Sequence, residues 1–173
     1  MKKWVFLGAP STGKTTLINA LSQQLNTNWV EEYGRDYWLE HQVDRRLTPG
    51  QLLHIAQMQN QMEDAAISNA NRILLCDTNA FTTWHFALHY HNSALPELSK
   101  LASECWTRYQ RVIVCDTDIP YDDTWERSGD ANRIEFQAFI LDYLKQHKIP
   151  FTLVSGSVEK RMQQVLEEMP QLA

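Results

Sequence analysis

The sequence predicts an α/β fold, a five-stranded parallel sheet with helices on both faces. Three observations predict it. Five short strand-like runs, Trp4–Leu7, Trp29–Glu32, Ile73–Cys76, Val112–Cys115 and Phe151–Val154, are spread along 173 residues. Segments of helical period separate them, which is the pattern of βαβ units and so of a three-layer sandwich. The first run leads straight into GAPSTGKT, Gly8 to Thr15, and then into a helix with Leu17, Ile18, Leu21 and Leu25 on one face.

That loop reads G-x-x-x-x-G-K-[ST] in full. With glycine near 7% of residues, chance produces the pattern in roughly one chain in a hundred of this length. The strand before it and the helix after it lower that figure further. Glycines let the backbone wrap closely around phosphate oxygens, and the N–H groups at the helix start point at the anion. Gly8, Ala9, Pro10, Ser11, Thr12, Gly13, Lys14, Thr15 and Thr16 are the expected nucleotide contacts. Lys14 is placed to reach the β- and γ-phosphates, and the Thr15 hydroxyl to ligate Mg²⁺. ATP and Mg²⁺ are therefore the expected donor and metal, in a P-loop NTPase fold.

The remaining elements follow in order. Asn26-Thr27-Asn28 reads as a turn before the second strand. A helix carrying Tyr37, Trp38 and Leu39 ends near His41. Thr48-Pro49-Gly50-Gln51 opens a long helix, with Thr48 as N-cap, Pro49 at the first helical position and Gln51 closing a capping box. Its stripe of Leu52, Ile55, Ala56, Met62 and Ala66 predicts an end near Asn69 to Asn71. The third strand delivers Asp77, and a helix with Phe81, Trp84, His85 and Leu88 inward comes next. Asn92 and Ser93 turn the chain, and Pro96 opens another helix. The fourth strand ends on Asp116. The stretch from Thr117 to Asp130 is polar, acidic and aperiodic, long enough for a functional loop. A helix over Ala131–His147 leads to the fifth strand, and Ser155-Gly156-Ser157 caps a last helix carrying Val158, Met162, Val165, Leu166 and Met169.

Composition bounds the function. The length suits one domain over residues 1–173. A net charge of −5, from 16 basic and 21 acidic residues, argues against nucleic acid or an anionic membrane as partner. Three cysteines without a C-x-x-C pair form no disulfide framework, and Cys76 and Cys115 read as buried hydrophobes of a cytoplasmic protein. No apolar run reaches the length of a membrane span, and the first strand leaves no room for a signal peptide. The partner expected is a small, nucleoside-like substrate; the oligomeric state stays open.

Ligands of parallel sheets bind beyond the carboxyl ends of the strands, so the residues just past each run are the site candidates. Asp77 stands where a Walker-B carboxylate holds Mg²⁺; the alternative is a helix N-cap. Glu32 and Asp36 flank Tyr33-Gly34-Arg35, where a transferase needs a carboxylate at the attacking hydroxyl and Arg35 suits an anion; the alternative is a solvated ion-pair cluster. Arg127 and Arg133 lie on the long loop, residues 117–133, which suits a lid closing over phosphates. Salt bridges to Asp122, Asp123, Glu126 or Asp130 are the plainer reading of both arginines. His85, His89 and His91 lack the glutamate and further ligands of a zinc site, so His85 is read as packing on its helix face. The aromatics Trp29, Tyr33, Tyr37, Trp38, Trp84 and Tyr90 are core by default, with one or more free to stack on a flat ring.

Four segments resemble the nicotinamide riboside kinase domain of bacterial NAD-salvage regulators, relatives of the P-loop nucleoside kinases. They are GAPSTGKT, EYGRDYW at Glu32–Trp38, DTNAFTTWHFALHY at Asp77–Tyr90 and WERSGDANRIEFQ at Trp125–Gln137. The resemblance implies ATP as phosphoryl donor and a ribosyl 5′-hydroxyl as acceptor. It implies Glu32 at that hydroxyl, Asp77 at metal and acceptor, and Arg127 and Arg133 in the lid. Tyr33, Arg35, Asp36 and Trp84 join Glu32 as expected substrate contacts. One departure stands out: Glu31 occupies the place of an aromatic before the Glu-Tyr-Gly-Arg segment, so Trp84, Tyr33 or Trp38 must supply the stacking ring. The regulators' DNA-binding and adenylyltransferase domains do not fit into 173 residues, which predicts a stand-alone kinase. Deoxynucleoside or other small-metabolite kinases are the alternative within the enzyme class. A nucleotide-dependent switch or sensor is the alternative outside it, although no N-K-x-D stretch reads guanine.

Overall fold

The computed structural model describes residues 2–120 and 130–169. Its strands are β1 (Lys2–Leu7), β2 (Trp29–Val30), β3 (Ile73–Asp77), β4 (Arg111–Cys115) and β5 (Thr152–Val154). They form one sheet in the order β2-β3-β1-β4-β5, with every neighbouring pair parallel. The helices are α1 (Lys14–Leu25), α2 (Tyr33–His41), α3 (Pro49–Ala66), α4 (Ala80–His91), α5 (Pro96–Glu104), α6 (Asp130–Gln146) and α7 (Val158–Glu167).

Alternation along the central strands divides the core into two. Trp4 and Phe6 of β1, Leu75 of β3 and Ile113 of β4 face one side, where Leu17, Ile18 and Leu21 of α1 and Val165 of α7 cover them. Val5, Leu7, Leu74, Cys76, Val112 and Val114 face the other, beneath α3, α4, α5 and α6. Strands buried on both faces read as continuous apolar runs, which is why β1, β3 and β4 are plain in the sequence.

The second strand is shorter than expected. Its pairing stops at Val30, because Gln59 of α3 takes over the next backbone groups: Tyr33 N–H donates to Gln59 Oε1 at 2.9 Å and Gln59 Nε2 donates to the Glu31 carbonyl at 3.0 Å. The fifth strand likewise starts at Thr152, since Phe151 turns into the core. The predicted capping box is present: Gln51 N–H donates to Thr48 Oγ1 at 3.2 Å and Thr48 N–H to Gln51 Oε1 at 2.9 Å. All three cysteines are buried and reduced, and burial pushes the Cys76 thiol well up, Cys105 up to about 12 and Cys115 up to about 11.

His85 packs its ring against Phe136 and Phe139, with centroids 4.1 Å from each. Burial, aided by nearby His89, lowers its pKa from 6.5 to about 4. The folded protein therefore favours the neutral ring. Its contribution is complete above pH 6.5, declines as pH falls through that window and is gone below pH 4. At about 1.4 kcal/mol per unit, the loss amounts to about 3 kcal/mol. Urea denaturation at pH 7 and pH 4.5 should show this slope in the parent chain and a much flatter one in His85→Leu.

Candidate active site

The P-loop joins β1 to α1 and is held from outside by three buried side chains. Gly8 must be glycine, because a Cβ there would lie 2.6 Å from Thr12 Oγ1 and 2.9 Å from the Cys115 carbonyl. Gly13 adopts φ 79° and starts α1 with no side-chain cap and no acid in the first turn. An uncapped, acid-free N-terminus of a twelve-residue helix is suited to an anion. Arg133 Nη1 donates to the Ser11 carbonyl at 3.2 Å, and Arg161 Nη1 donates to the Thr12 carbonyl. A trans peptide aims its N–H opposite to its C=O. Pinning those two carbonyls outward therefore turns the N–H groups of Thr12 and Gly13 toward the cradle. Gln137 holds the loop's other end, accepting from Ala9 N–H at 2.9 Å and donating to the Cys115 carbonyl at 3.0 Å.

Arg161 is 1% exposed and fully engaged. Besides Thr12 it donates to the Gly156 carbonyl at 3.0 Å, to the Asp116 carbonyl at 3.2 Å and to the Asp118 carboxylate. Partial burial works against charge on Asp118, but the Gly156 N–H at 2.6 Å and the Arg161 guanidinium outweigh it and hold the pKa below its usual value. One cation thus ties the loops after β4 and β5 to the P-loop.

Asp77 ends β3 directly opposite Phe6 of β1. It is 1% exposed, accepts from Thr15 Oγ1 at 2.7 Å, and its Oδ1 has no hydrogen-bond partner among the described residues. Asp77 does not cap α4; Asn79 does, accepting from Phe81 N–H at 3.2 Å. Burial raises the Asp77 pKa, while Lys14, the Thr15 hydroxyl and Arg35 favour the carboxylate and Glu31 opposes it. Lys14 Nζ donates to the Gly8 carbonyl at 3.1 Å, folded back over the loop. Among the described residues no group of three or more His, Cys, Asp or Glu side chains could hold a metal by itself. A P-loop metal site needs none, because phosphates and water complete its shell. The Thr15 hydroxyl beside a buried carboxylate with one open oxygen fits Mg²⁺.

Next to this edge a cleft opens between α2, α3 and α4. Glu32 stands at its rim as the N-cap of α2. Trp38, Phe86 and Tyr90 supply aromatic wall, Leu47, Leu52 and Ile55 aliphatic wall, and Gln59, Thr78, Thr82 and Thr83 the neutral polar groups. Several expected contacts lie elsewhere. Trp84 packs its ring among Phe81, Phe139 and Tyr143, away from the cleft lining. Tyr33 turns to His54, with its hydroxyl 3.2 Å from Nε2, and to Tyr37. Arg35 and Asp36 are exposed on α2, although Arg35 is near enough to act on Asp77. Of the three rings considered for stacking, Trp38 alone lines the cleft.

The arginine pair also departs from expectation. Arg133 lies within α6, not on a loop, and its guanidinium holds the Ser11, Ile119 and Thr117 carbonyls at 3.2, 2.8 and 3.4 Å. Arg127 and most of the expected lid, residues 121–129, lie outside the described residues. Asp118 lies in the stretch past the fourth strand that the sequence marks for the site, whereas Gln59, Gln137 and Arg161 have no role assigned from the sequence. Only Gln137 carried a signal, four residues after Arg133 and hence on the same helix face.

A phosphate cradle, a carboxylate at the end of β3 and an adjoining cleft define a P-loop protein of the nucleoside-kinase fold. The chain belongs to the AAA domain family, whose model matches residues 3–161. It is 32% identical over 152 residues to the trifunctional NAD biosynthesis/regulator protein NadR of Escherichia coli (strain K12), covering 86% of this chain and 37% of that protein. The NadR of Salmonella typhimurium matches to the same extent. The chain thus spans a little over a third of the length of these curated relatives. Its fold is similar to that of NadR in complex with NR, with TM-score 0.72 and 21% identity over 99% of this chain and 54% of the other. Deoxyadenosine kinase from M. mycoides, with products dCMP and dCDP bound, shares the fold at TM-score 0.62 and 12% identity over 96% and 97% of the two chains. Among the described residues no helix is long and apolar enough to cross a membrane.

Replacing Gln137 by Met leaves the buried Ala9 N–H and Cys115 carbonyl unpaired. The cost expected is about 1–3 kcal/mol, read by urea denaturation. Affinity for a non-hydrolysable ATP analogue, measured by calorimetry, should fall as well.

Proposed function

We propose that this chain is an ATP-dependent kinase that phosphorylates the 5′-hydroxyl of nicotinamide riboside, yielding nicotinamide mononucleotide, in the reducing cytoplasm. The observation that carries the reading is the cleft. It places Glu32 and an aromatic wall beside the edge where Thr15, Lys14 and Asp77 meet. A nucleotide switch has no need of such a second chamber, whereas a phosphotransferase requires one for its acceptor. The relatives' role in NAD biosynthesis and the NR held by a protein of the same fold favour this acceptor. So does the chemistry: a cationic pyridinium suits the aromatic wall, Glu32 at the rim and the acids Glu31 and Asp77 at the adjoining sheet edge. A neutral nucleoside is the second reading, favoured by a lining in which, among the described residues, Glu32 is the one charged side chain.

In the proposed reaction the N–H groups at the start of α1 hold the donor phosphates. Lys14 exchanges the Gly8 carbonyl for the β- and γ-phosphates. Thr15 and Asp77 would hold Mg²⁺, which when bound neutralises charge on those phosphates. Glu32 takes the proton of the acceptor hydroxyl. The 5′-oxygen–phosphorus bond forms as the bond from the γ-phosphorus to the β–γ bridging oxygen breaks, and ADP leaves.

Lys14→Ala should keep the fold and lose at least about a hundredfold in kcat, the usual cost of one electrostatic contact. Glu32→Gln should bind ATP normally, seen by calorimetry, yet lose about 10²–10⁴-fold in transfer. The acceptor is tested in one tube containing ATP, Mg²⁺ and equimolar nicotinamide riboside, cytidine, thymidine and deoxyadenosine. Mass spectrometry should show nicotinamide mononucleotide in more than tenfold excess, about 1.4 kcal/mol of discrimination. Preference for a neutral nucleoside would remove this acceptor and leave the kinase.

A further inference from the structure

Two threonines that line the cleft, Thr78 and Thr82, carry buried hydroxyls with no hydrogen-bond partner among the described residues. The two residues are 5% and 7% exposed. Most buried side-chain polar atoms in folded proteins are paired, so two orphans on one wall call for a cause. Valine has nearly the shape of threonine and would occupy either position without burying an unpaired hydroxyl.

Thr78 is unusual in a second way. Its φ of 68° lies in the left-handed region that β-branched residues rarely adopt, and strain of this kind gathers at ligand clamps. Neighbouring elements impose it. Thr78 N–H donates to the Phe6 carbonyl at 3.1 Å, carrying the β1–β3 ladder one residue past Asp77, and the next residue is the α4 N-cap. Thr78 is thereby locked between the reaction edge and the first turn of the helix that bears Thr82.

Gln59, another neutral polar side chain of the lining, already binds the backbone at Tyr33 and Glu31. A flat ring would satisfy Trp38 and Phe86 and leave both threonines unpaired. A ribose brings two more hydroxyls, each donor and acceptor, which is what a threonine hydroxyl matches. We infer that Thr78 and Thr82 bind the vicinal 2′- and 3′-hydroxyls of a ribosyl acceptor, so that the enzyme selects ribonucleosides over 2′-deoxyribonucleosides. This rests on the kinase reading of the cleft. A site built to pair a substrate hydroxyl rejects the analogue lacking it, because its own buried groups then stay unpaired.

The test measures kcat/KM with ATP and Mg²⁺ for nicotinamide riboside, cytidine and adenosine, each beside its 2′-deoxy counterpart. The proteins are the parent chain, Thr78→Val, Thr82→Val and Thr82→Ser. The parent should prefer the ribose member of the accepted pair by about fiftyfold or more. The valine at the threonine that holds the 2′-hydroxyl should cut that preference about tenfold, through KM for the ribose member alone, and the valine at the one that holds the 3′-hydroxyl should raise KM for both members alike. KM for ATP should not change, the Tm of the free protein should hold or rise, and Thr82→Ser should match the parent. A parent ratio near one, or a ratio that the valines leave intact while transfer continues, overturns the inference and spares the kinase. So does a valine that lowers Tm and slows both members equally, because the hydroxyl is then structural. If no acceptor is phosphorylated and none binds, kinase and ribose site fall together.

Discussion

Parallel pairing of β1 with β3 and β4 is the constraint on which the site depends. Phe6 stands opposite Asp77 and Leu7 opposite Val114, so three strands end at one level and release their loops at one edge. The P-loop leaves β1 there, Asp77 closes β3, and Cys115 passes the chain to Asp116 and Asp118. A slip of one residue would swap the two faces, driving Trp4 and Phe6 into the core packed around Val5 and Leu7. Burial on both faces excludes that slip. The 2.7 Å bond from Thr15 to Asp77 is a consequence of register before it is a feature of chemistry.

Buried charge is used differently at the two ends of the sheet. At the amino end Glu63 is buried beneath Tyr109, Arg108 and Lys3, with Tyr109 Oη donating at 2.7 Å and Arg108 Nη2 at 3.2 Å. Burial pushes its pKa up even though all three neighbours favour the carboxylate. That group closes the bottom of the core. At the carboxyl end the buried cations Arg133 and Arg161 bind mainly backbone carbonyls. Their work is to orient peptide dipoles in the P-loop, which preorganises it for an anion before any ligand arrives.

The acceptor side is built from a different kind of restraint. Gln59 replaces the missing ladder bonds after β2 and fixes the backbone on either side of Glu32. Gly34 lets α2 approach α3, since a Cβ there would meet Ile55 at 3.1 Å. The cleft is therefore a gap left by two helices held at a set distance, with its chemistry at the rim and its shape in the walls.

The sequence by itself determined the strands, the helices and the P-loop, because each depends on near neighbours: apolar runs, helical stripes, a capping box and a glycine pattern. It also placed Asp77 at a strand end and Glu32 just beyond one, which is a property of topology. What touches across the fold was decided only by tertiary structure. EYGRDYW presents Trp38 to the cleft and turns Tyr33 away, a choice set by how α2 lies on α3. Trp84 belongs to the core because α6 supplies Phe139 and Tyr143 opposite it. Arg161 and Gln137 looked like ordinary helix polarity until the P-loop carbonyl and N–H appeared beside them. Pairings between residues more than a hundred positions apart leave no period in a sequence, since their partners are backbone groups that every residue carries.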